Sequence, residues 1–351
     1  MASKTGERRA TSRGFSVTVA LAAARAVTAC LVLLWIATLP ARGALLVYDG
    51  FDYTQGNLLT ATGGGTGFQS VAWQQTAAGD AGARVVPGLT FSNLIVSGNA
   101  VALDTWNSLN RDGGGYLVPT GYTSVYLNRP IASGAAAGSV LWSSFLWKCS
   151  AGSTRWYSDS DIGVASSAGI RPQRFSVWTG AKENGGNPAA NIIGVSTREQ
   201  YWTSTSVSPP DSYPTHDGNT YLFIAKWSKV EQANSCTLWM LNASDFDAIK
   251  AGGITEAELN ANYRRMVPHT GDSWMSPSDV TFAAGNFVSL FQFNSSITGG
   301  APWGSWDELR YGIGADPTAA GILPFLVPEP ASLCLLLLGG LTQLRRRVCR
   351  R

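Results

Sequence analysis

The stretch Tyr221-Leu222-Phe223-Ile224-Ala225-Lys226-Trp227-Ser228-Lys229 decides how this chain is read. It is dense in aromatic and branched residues and bounded by turn formers, which is strand composition. Alternation along a strand puts Tyr221, Phe223, Ala225 and Trp227 on one face and Leu222, Ile224, Lys226 and Ser228 on the other. Both faces are apolar at the start. Such a strand is either central and covered on both sides, or has one face in a core and the other in a groove. Residues 139–149 (SVLWSSFLWKC) repeat the pattern, with Leu141, Ser143, Phe145, Trp147 and Cys149 against Val140, Trp142, Ser144, Leu146 and Lys148.

Working outward, residues 174–178, 236–242 (CTLWMLN) and 287–293 (FVSLFQF) read as further short strands separated by Gly, Asn, Ser and Asp. One helical stretch interrupts them. Ser244 is placed to cap a first helix with Asp245 and Asp247 in its first turn, and Gly252-Gly253 ends it. Thr255 with Glu258 forms a capping box for a second helix over residues 256–266. No repeat of 20 to 50 residues is evident, which disfavours solenoids and propellers. Spaced short strands with few helices predict an all-β fold, a two-sheet sandwich built as one domain.

The composition agrees. The chain has 351 residues, 45% hydrophobic and only 14% charged, enough to fill a core and unlike a disordered chain. Gly at 39 and Pro at 16 fall short of collagen or linker composition. The net charge of +3 suggests nucleic-acid binding until its distribution is read. Residues 44–330 hold 15 basic and 22 acidic side chains, a net of −7, so the basic excess belongs to the two ends and no nucleic-acid partner is expected.

Those ends read as addresses. Lys4, Arg8, Arg9 and Arg13 precede an apolar run over residues 26–39, followed by Pro40-Ala41-Arg42-Gly43-Ala44. This is the three-part form of a signal peptide, residues 1–43, with small Ala41 and Gly43 positioned for cleavage before Ala44. At the other end, Pro328-Glu329-Pro330 disfavours helix and keeps the backbone extended. Residues 331–344 follow, 14 residues or about 21 Å as a helix, short of the roughly 30 Å hydrocarbon core and so suited to transient membrane insertion. Arg345, Arg346 and Arg347, with Arg350 and Arg351, then form a membrane stop that stays on the cytoplasmic side.

This tail, residues 326–351, resembles the PEP-CTERM sorting signal of exported bacterial proteins, with its triad at Pro328, Glu329 and Pro330. The resemblance implies an exosortase-type membrane enzyme as processing partner. It also implies a precursor anchored in the inner membrane, then a protein at the cell surface or in a matrix of extracellular polysaccharide. A second resemblance covers residues 44–325. Tyr48-Asp49-Gly50-Phe51-Asp52-Tyr53 and Ser305-Trp306-Asp307-Glu308-Leu309-Arg310-Tyr311-Gly312 look like the first and last strands of concanavalin A-like (LamG-like) jelly-roll domains. That fold implies that the two strands lie together.

The chemistry-bearing residues are sparse. The glucanase relatives of this fold class take their carboxylates from an E-x-D-x-E or E-x-D-x-x-E strand, and no such triplet occurs. Asp307 and Glu308 are adjacent and are expected to point to opposite faces, so catalysis is not expected, a glycoside hydrolase remaining the second alternative. His216 and His269 read as turn residues. Asp159 with Asp161, and Asp49 with Asp52, place oxygen ligands close enough for a structural Ca²⁺, with turn capping as the competing role. With 13 Trp and 11 Tyr the chain is rich in rings that stack on sugars, and alternation puts Trp178 and Trp239 opposite the core-facing residues of their strands as candidate glycan binders. Core packing is the commoner role for such rings. Removal of both ends leaves Cys149 and Cys236 as a candidate disulfide or as two buried thiols. The expectation is a non-catalytic, exported surface or matrix protein associated with polysaccharide, with a lectin-like module as the first alternative.

Overall fold

The computed structural model describes residues 43–57, 64–77, 82–92, 94, 96, 98–104, 123–149, 157–172, 174–184, 187–196, 218–228, 235–250, 254–263, 265–270, 281–294 and 304–323. All lie in the unit Gly43–Arg351. Residues 1–42 of the expected signal peptide, the Pro-Glu-Pro triad, the hydrophobic run and the arginine cluster lie outside the described residues.

Among the described residues, fifteen strands run in two antiparallel sheets. They are β1 (Ala44–Asp49), β2 (Gly56–Asn57), β3 (Gln74–Ala77), β4 (Gly82–Pro87) and β5 (Asn99–Asp104), then β6 (Thr123–Pro130), β7 (Leu141–Cys149), β8 (Tyr157–Ala165), β9 (Arg174–Asn184) and β10 (Asn187–Ser196). After these come β11 (Thr220–Trp227), β12 (Ser235–Leu241), β13 (Arg265–Thr270), β14 (Phe287–Asn294) and β15 (Gly304–Ile313). The nine-stranded sheet has the order β13-β12-β11-β7-β15-β5-β4-β2, with β1 added on β15, and the six-stranded sheet the order β10-β9-β8-β14-β6-β3. The chain crosses repeatedly between the sheets, as in a jelly-roll sandwich, while β8-β9-β10 and β11-β12-β13 each stay within one. Edge strands β10 and β13 carry Pro188 and Pro268, which have no N–H to offer a further strand.

The core between the sheets takes one face of β11, with Tyr221, Phe223, Ala225 and Trp227 packed among Phe145, Trp147, Ile162, Phe175, Val177 and Leu290. The Phe145 and Phe223 rings stack with centroids 5.1 Å apart. The opposite face of β11 is also buried: Leu222 and Ile224 join Trp142, Leu146, Trp239 and Leu241 in a second core. Of the two arrangements left open by the sequence, the nine-stranded sheet therefore adopts the one covered on both sides.

The cover is built from two short helices and a C-terminal segment. Helix α1 (Ala243–Ile249) contributes Phe246 and Ile249, and α2 (Glu256–Ala261) contributes Leu259. Residues 320–323 lie beside them, with Ala320, Ile322 and Leu323 buried and the Ser144 hydroxyl donating to the Ile322 carbonyl. Close approach is needed at Gly312, where a Cβ would collide with the Ala320 carbonyl.

Two local expectations change. The cap of α1 is Asn242 rather than Ser244: the Asn242 side chain accepts from the Asp245 N–H at 2.8 Å and Asp245 returns a bond to the Asn242 N–H at 3.2 Å. This reciprocal pair satisfies two helix-end donors, and Ser244 supports it by donating to Asn242. The Thr255–Glu258 capping box forms as read. However, α2 stops at Ala261, and residues 265–270 form β13, because the open edge of β12 offers a ladder from Ser235 to Met240 that a helix would leave unpaired.

The terminal strands pair, with Tyr48 opposite Arg310 and Asp49 opposite Leu309. Strand β15 keeps β7 on one flank and changes partner on the other, from β5 at Ser305 and Trp306 to β1 beyond a bulge at residues 307–310. Glu308 in that bulge has φ 53°. Local twist and an unpaired residue are what a bulge supplies, and here they permit the exchange of neighbours.

Trp239 is buried at 0% exposure and stacks on Trp142 at 5.9 Å, so Trp239→Ala is expected to lower stability by about 3 to 5 kcal/mol, read from urea unfolding. A ligand-facing ring would give a far smaller loss.

Candidate functional site

Two polar constellations stand out, one inside the sandwich and one on it. The inner one centres on Asp49. Its Oδ2 accepts from the Tyr53 hydroxyl at 2.6 Å, from Trp73 Nε1 at 3.0 Å and from Arg129 at 3.2 Å, and its Oδ1 accepts from the Phe51 N–H at 2.8 Å. Arg129 also donates to the Gly64 and Val71 carbonyls and lies 4.5 Å over the Phe68 ring. Asp49 ends β1 in the large sheet and Arg129 belongs to β6 in the small one, so this buried pair bolts the sheets together. Burial pushes the Asp49 carboxyl up, against the pull of its donors.

Asp307 and Glu308 lie close by. Asp307 accepts from the Leu89 and Glu308 N–H groups at 2.9 and 2.8 Å. Burial raises its pKa to about 8. Glu308 accepts from Arg310 at 2.7 Å and from the Tyr48 hydroxyl at 3.4 Å. Both acids are buried and committed to holding the terminal strands.

The outer constellation is a row across the outer side of the six-stranded sheet, where Thr76 is exposed and Tyr126 partly so, while Phe291 and Asp161 are buried. Thr76, Tyr126, Phe291, Asp161, Trp178 and Gly194 stand in register, one from each strand from β3 to β10. Their sequence neighbours Val125, Leu127, Leu290, Ile162 and Val177 fill the core, which places the row on the opposite face. Tyr126 is half-buried and its ring lies 5.0 Å from that of Phe291. Arg171 covers Phe291 with its guanidinium 4.6 Å from the ring centroid, and its Nε donates to the buried Asp161 carboxylate.

The loop from β8 to β9 brings Arg171 there. Asn128 accepts from the Gly169 N–H at 2.9 Å and donates to the Ser289 hydroxyl at 2.7 Å, and that hydroxyl donates to the Ile170 carbonyl at 3.2 Å. Gly169 adopts φ 75° beside Thr76, a conformation glycine reaches without steric cost.

The residues singled out in the sequence fare unequally. Trp178 occupies the outer row by register; its side chain, like those of Asp159 and Cys149, lies outside the described residues. Trp239 does not face a ligand. It is covered by α1 and α2, with its Nε1 donating to Asn260 at 3.0 Å. Alternation placed it correctly opposite Leu238 and Met240, but that second face is itself a core.

The Cys149–Cys236 disulfide does not form: Cys236 is a buried free thiol whose pKa burial raises. Cys236 pairs across from Trp227, whereas Cys149 follows Lys148, which pairs with Thr220 at the far end of β11. The length of β11 separates these levels, about 25 Å at roughly 3.3 Å per residue, against the 7 Å a disulfide tolerates. Asp161 serves Arg171 rather than a cation, and among the described residues no group of three His, Cys, Asp or Glu is arranged to hold a metal ion. Asp49, considered as a cation ligand with Asp52, serves Arg129 and the ring donors. His269, expected in a turn, lies in β13 opposite Cys236, and His216 lies outside the described residues. Arg171, Asn128, Tyr126 and the Asp49 hub went unnoticed in the sequence; they are single residues far apart in the chain, and no spacing marks them.

The sequence matches no protein-family model and no curated protein. Solved structures are similar to it at low identity. The Emp47p carbohydrate recognition domain is 8% identical, covering 76% of this chain and 97% of its own, at a TM-score of 0.34. A Bauhinia forficata lectin in complex with GalNAc is 10% identical over 69% of this chain and 99% of its own, at 0.35. A carbohydrate esterase from the Shiga toxin-encoding bacteriophage phi24B is 15% identical over 78% and 99%, at 0.36. The likeness concerns architecture alone. The chain is an all-β jelly-roll sandwich of two sheets.

With its pKa near 8 in the fold and its ordinary value of 3.8 when unfolded, Asp307 is protonated in the native state where the unfolded chain has lost the proton. Stability is therefore expected to fall as pH rises from about 4 to about 8, and Asp307→Asn to flatten that slope, measured by urea unfolding across the range.

Proposed function

We propose that this chain is an exported, non-catalytic, lectin-like module that holds polysaccharide on the outer face of its six-stranded sheet. The observation that carries the reading is the row of Tyr126, Phe291, Asp161 and Trp178 in one register, with Arg171 laid over it. Tyr126, partly exposed, and the exposed Thr76 beside it give that face a ring and a hydroxyl for a pyranose, whose apolar face stacks on aromatics while its hydroxyls seek polar partners. A non-catalytic role is supported by Asp307 and Glu308, whose oxygens are occupied by Leu89, Arg310 and Tyr48 and are closed to a substrate.

Delivery rests on the ends of the sequence. The signal-peptide form of residues 1–43 and the Pro328-Glu329-Pro330 tail support export, transient insertion by residues 331–344, and removal of the tail by an exosortase-type enzyme. The surface or extracellular matrix is then the destination and exopolysaccharide the partner. The paired terminal strands support this arrangement, because β1 and the end of β15 lie together at one region of the sandwich.

Purified protein is expected to bind a subset of polysaccharides saturably on a glycan array, and Tyr126→Ala and Trp178→Ala each to abolish that binding without changing the unfolding midpoint by more than a modest amount. Absence of binding to every glycan would refute the lectin-like reading. The intact mass of protein recovered outside the cell is expected to lack both ends; a cell-associated chain that keeps them would refute the delivery route.

A further inference from the structure

We infer that the fold itself closes the Gly43–Ala44 bond to cleavage, so that the signal peptide can be removed only before β1 docks on β15. This rests on the export reading and adds its timing. The bond lies inside the unit Gly43–Arg351 rather than ahead of it. Ala44, the first residue expected after cleavage, pairs with Ile313, and Leu45 pairs with Gly312. On the other edge of β1, Tyr48 and Thr66 exchange main-chain hydrogen bonds at 3.0 and 2.7 Å. Gly67 lies so near the Leu46 carbonyl that a Cβ there would collide with it.

The seat of Gly43 is equally tight. A Cβ at this position would fall 1.9 Å from the Ile313 carbonyl oxygen and 2.6 Å from that of Ala319, both main-chain atoms. Ala319 is itself fixed: its N–H donates to the Asp316 carboxylate at 2.7 Å, and Ala320, Ile322 and Leu323 after it are buried in the second core. The side chains of Ala44 and Leu45 are exposed, so the protection comes from the main chain. Hydrolysis adds one water across the amide and leaves a Gly43 carboxylate and an Ala44 ammonium. A peptidase that takes its substrate as an extended segment needs the main chain on both sides of that amide free for its cleft. Past the bond, it is committed to the ladder.

The partners that close the site come late in the chain. Tyr48 and Glu308, joined by a hydrogen bond across the two strands, stand 260 positions apart. β1 therefore has no docking site until nearly the whole folded unit has followed it, and contacts of such long sequence separation form slowly. The pairing leaves an interval for cleavage and then ends it.

The test gives purified bacterial signal peptidase, in detergent micelles, two substrates: the full chain folded beforehand and a peptide of residues 26–50 carrying the same bond. The peptide is expected to be cut at Gly43–Ala44. The folded chain is expected to be cut at least about tenfold more slowly, because cleavage then follows the fraction in which β1 has come away. Gly43→Ala keeps a small residue suited to cleavage but sets a methyl against the Ile313 and Ala319 carbonyls, so it is expected to speed cleavage of the folded chain and not of the peptide. The comparison of the two unaltered substrates does not depend on how that variant folds. Equal rates for them overturn the inference and leave the export reading in place. A peptide that is not cut at this bond overturns the cleavage site, and the inference with it.

Discussion

The contact between Asp49 and Arg129 is the constraint on which the sandwich depends. It lies in the interior with both side chains almost wholly buried, at one end of β1 and near the end of β6, and it is the charged tie between the two sheets. Removing two charges from water costs several kcal/mol each, and the mutual attraction offsets this only when the remaining polar sites are satisfied. Here Tyr53, Trp73 and the Phe51 N–H complete the carboxylate, and the Gly64 and Val71 carbonyls complete the guanidinium. The segments that supply those groups, between β1 and β3, are positioned by the same network. A slip of β1 on β15 would leave an uncompensated buried charge, so the hub also fixes the register of the terminal strands.

The same device recurs with different exposure. Arg129 lies over Phe68 and pairs with Asp49, Arg171 over Phe291 with Asp161, Arg310 over Tyr48 with Glu308, and Lys226 over Trp142 with Glu256. A cation between a ring and a carboxylate keeps its apolar stem packed while its charge is answered. Arg129 at 4% side-chain exposure can only hold the fold, and Lys226 at 26% ties the edge of the second core to α2. Arg171 differs from both because its aromatic base belongs to the outer side of the six-stranded sheet and a clamped loop holds it there.

Much of the architecture was legible in short pieces. The two apolar faces of residues 221–227 called for cover on both sides or for a core on one side and a groove on the other, and Thr255 with Glu258 announced a helix start. The motifs around Tyr48 and Asp307 were recognisable as terminal strands, which do pair. Local reading stopped where long-range partners decide. Residues 264–266 continued a plausible helix until β12 offered an open ladder, and Ser244 was a sound cap until Asn242 and Asp245 formed a reciprocal one. Trp239 shows the general limit: alternation assigns a residue to a face but does not say whether that face is solvent or a second core.

The sequence alone determined an all-β sandwich, the distribution of apolar residues over both faces of its central strands, and the order of charged and apolar residues at its two ends. These properties reside in alternation, local composition and charge order, which need no knowledge of distant contacts. The tertiary structure alone decided that Trp239 is core, that Cys149 and Cys236 stand at opposite levels of the sheet, and that Arg171 joins Phe291 and Asp161. The reason is physical: pairing register brings together residues more than a hundred positions apart, and nothing in the local chemistry of any one of them records which partner lies across the ladder.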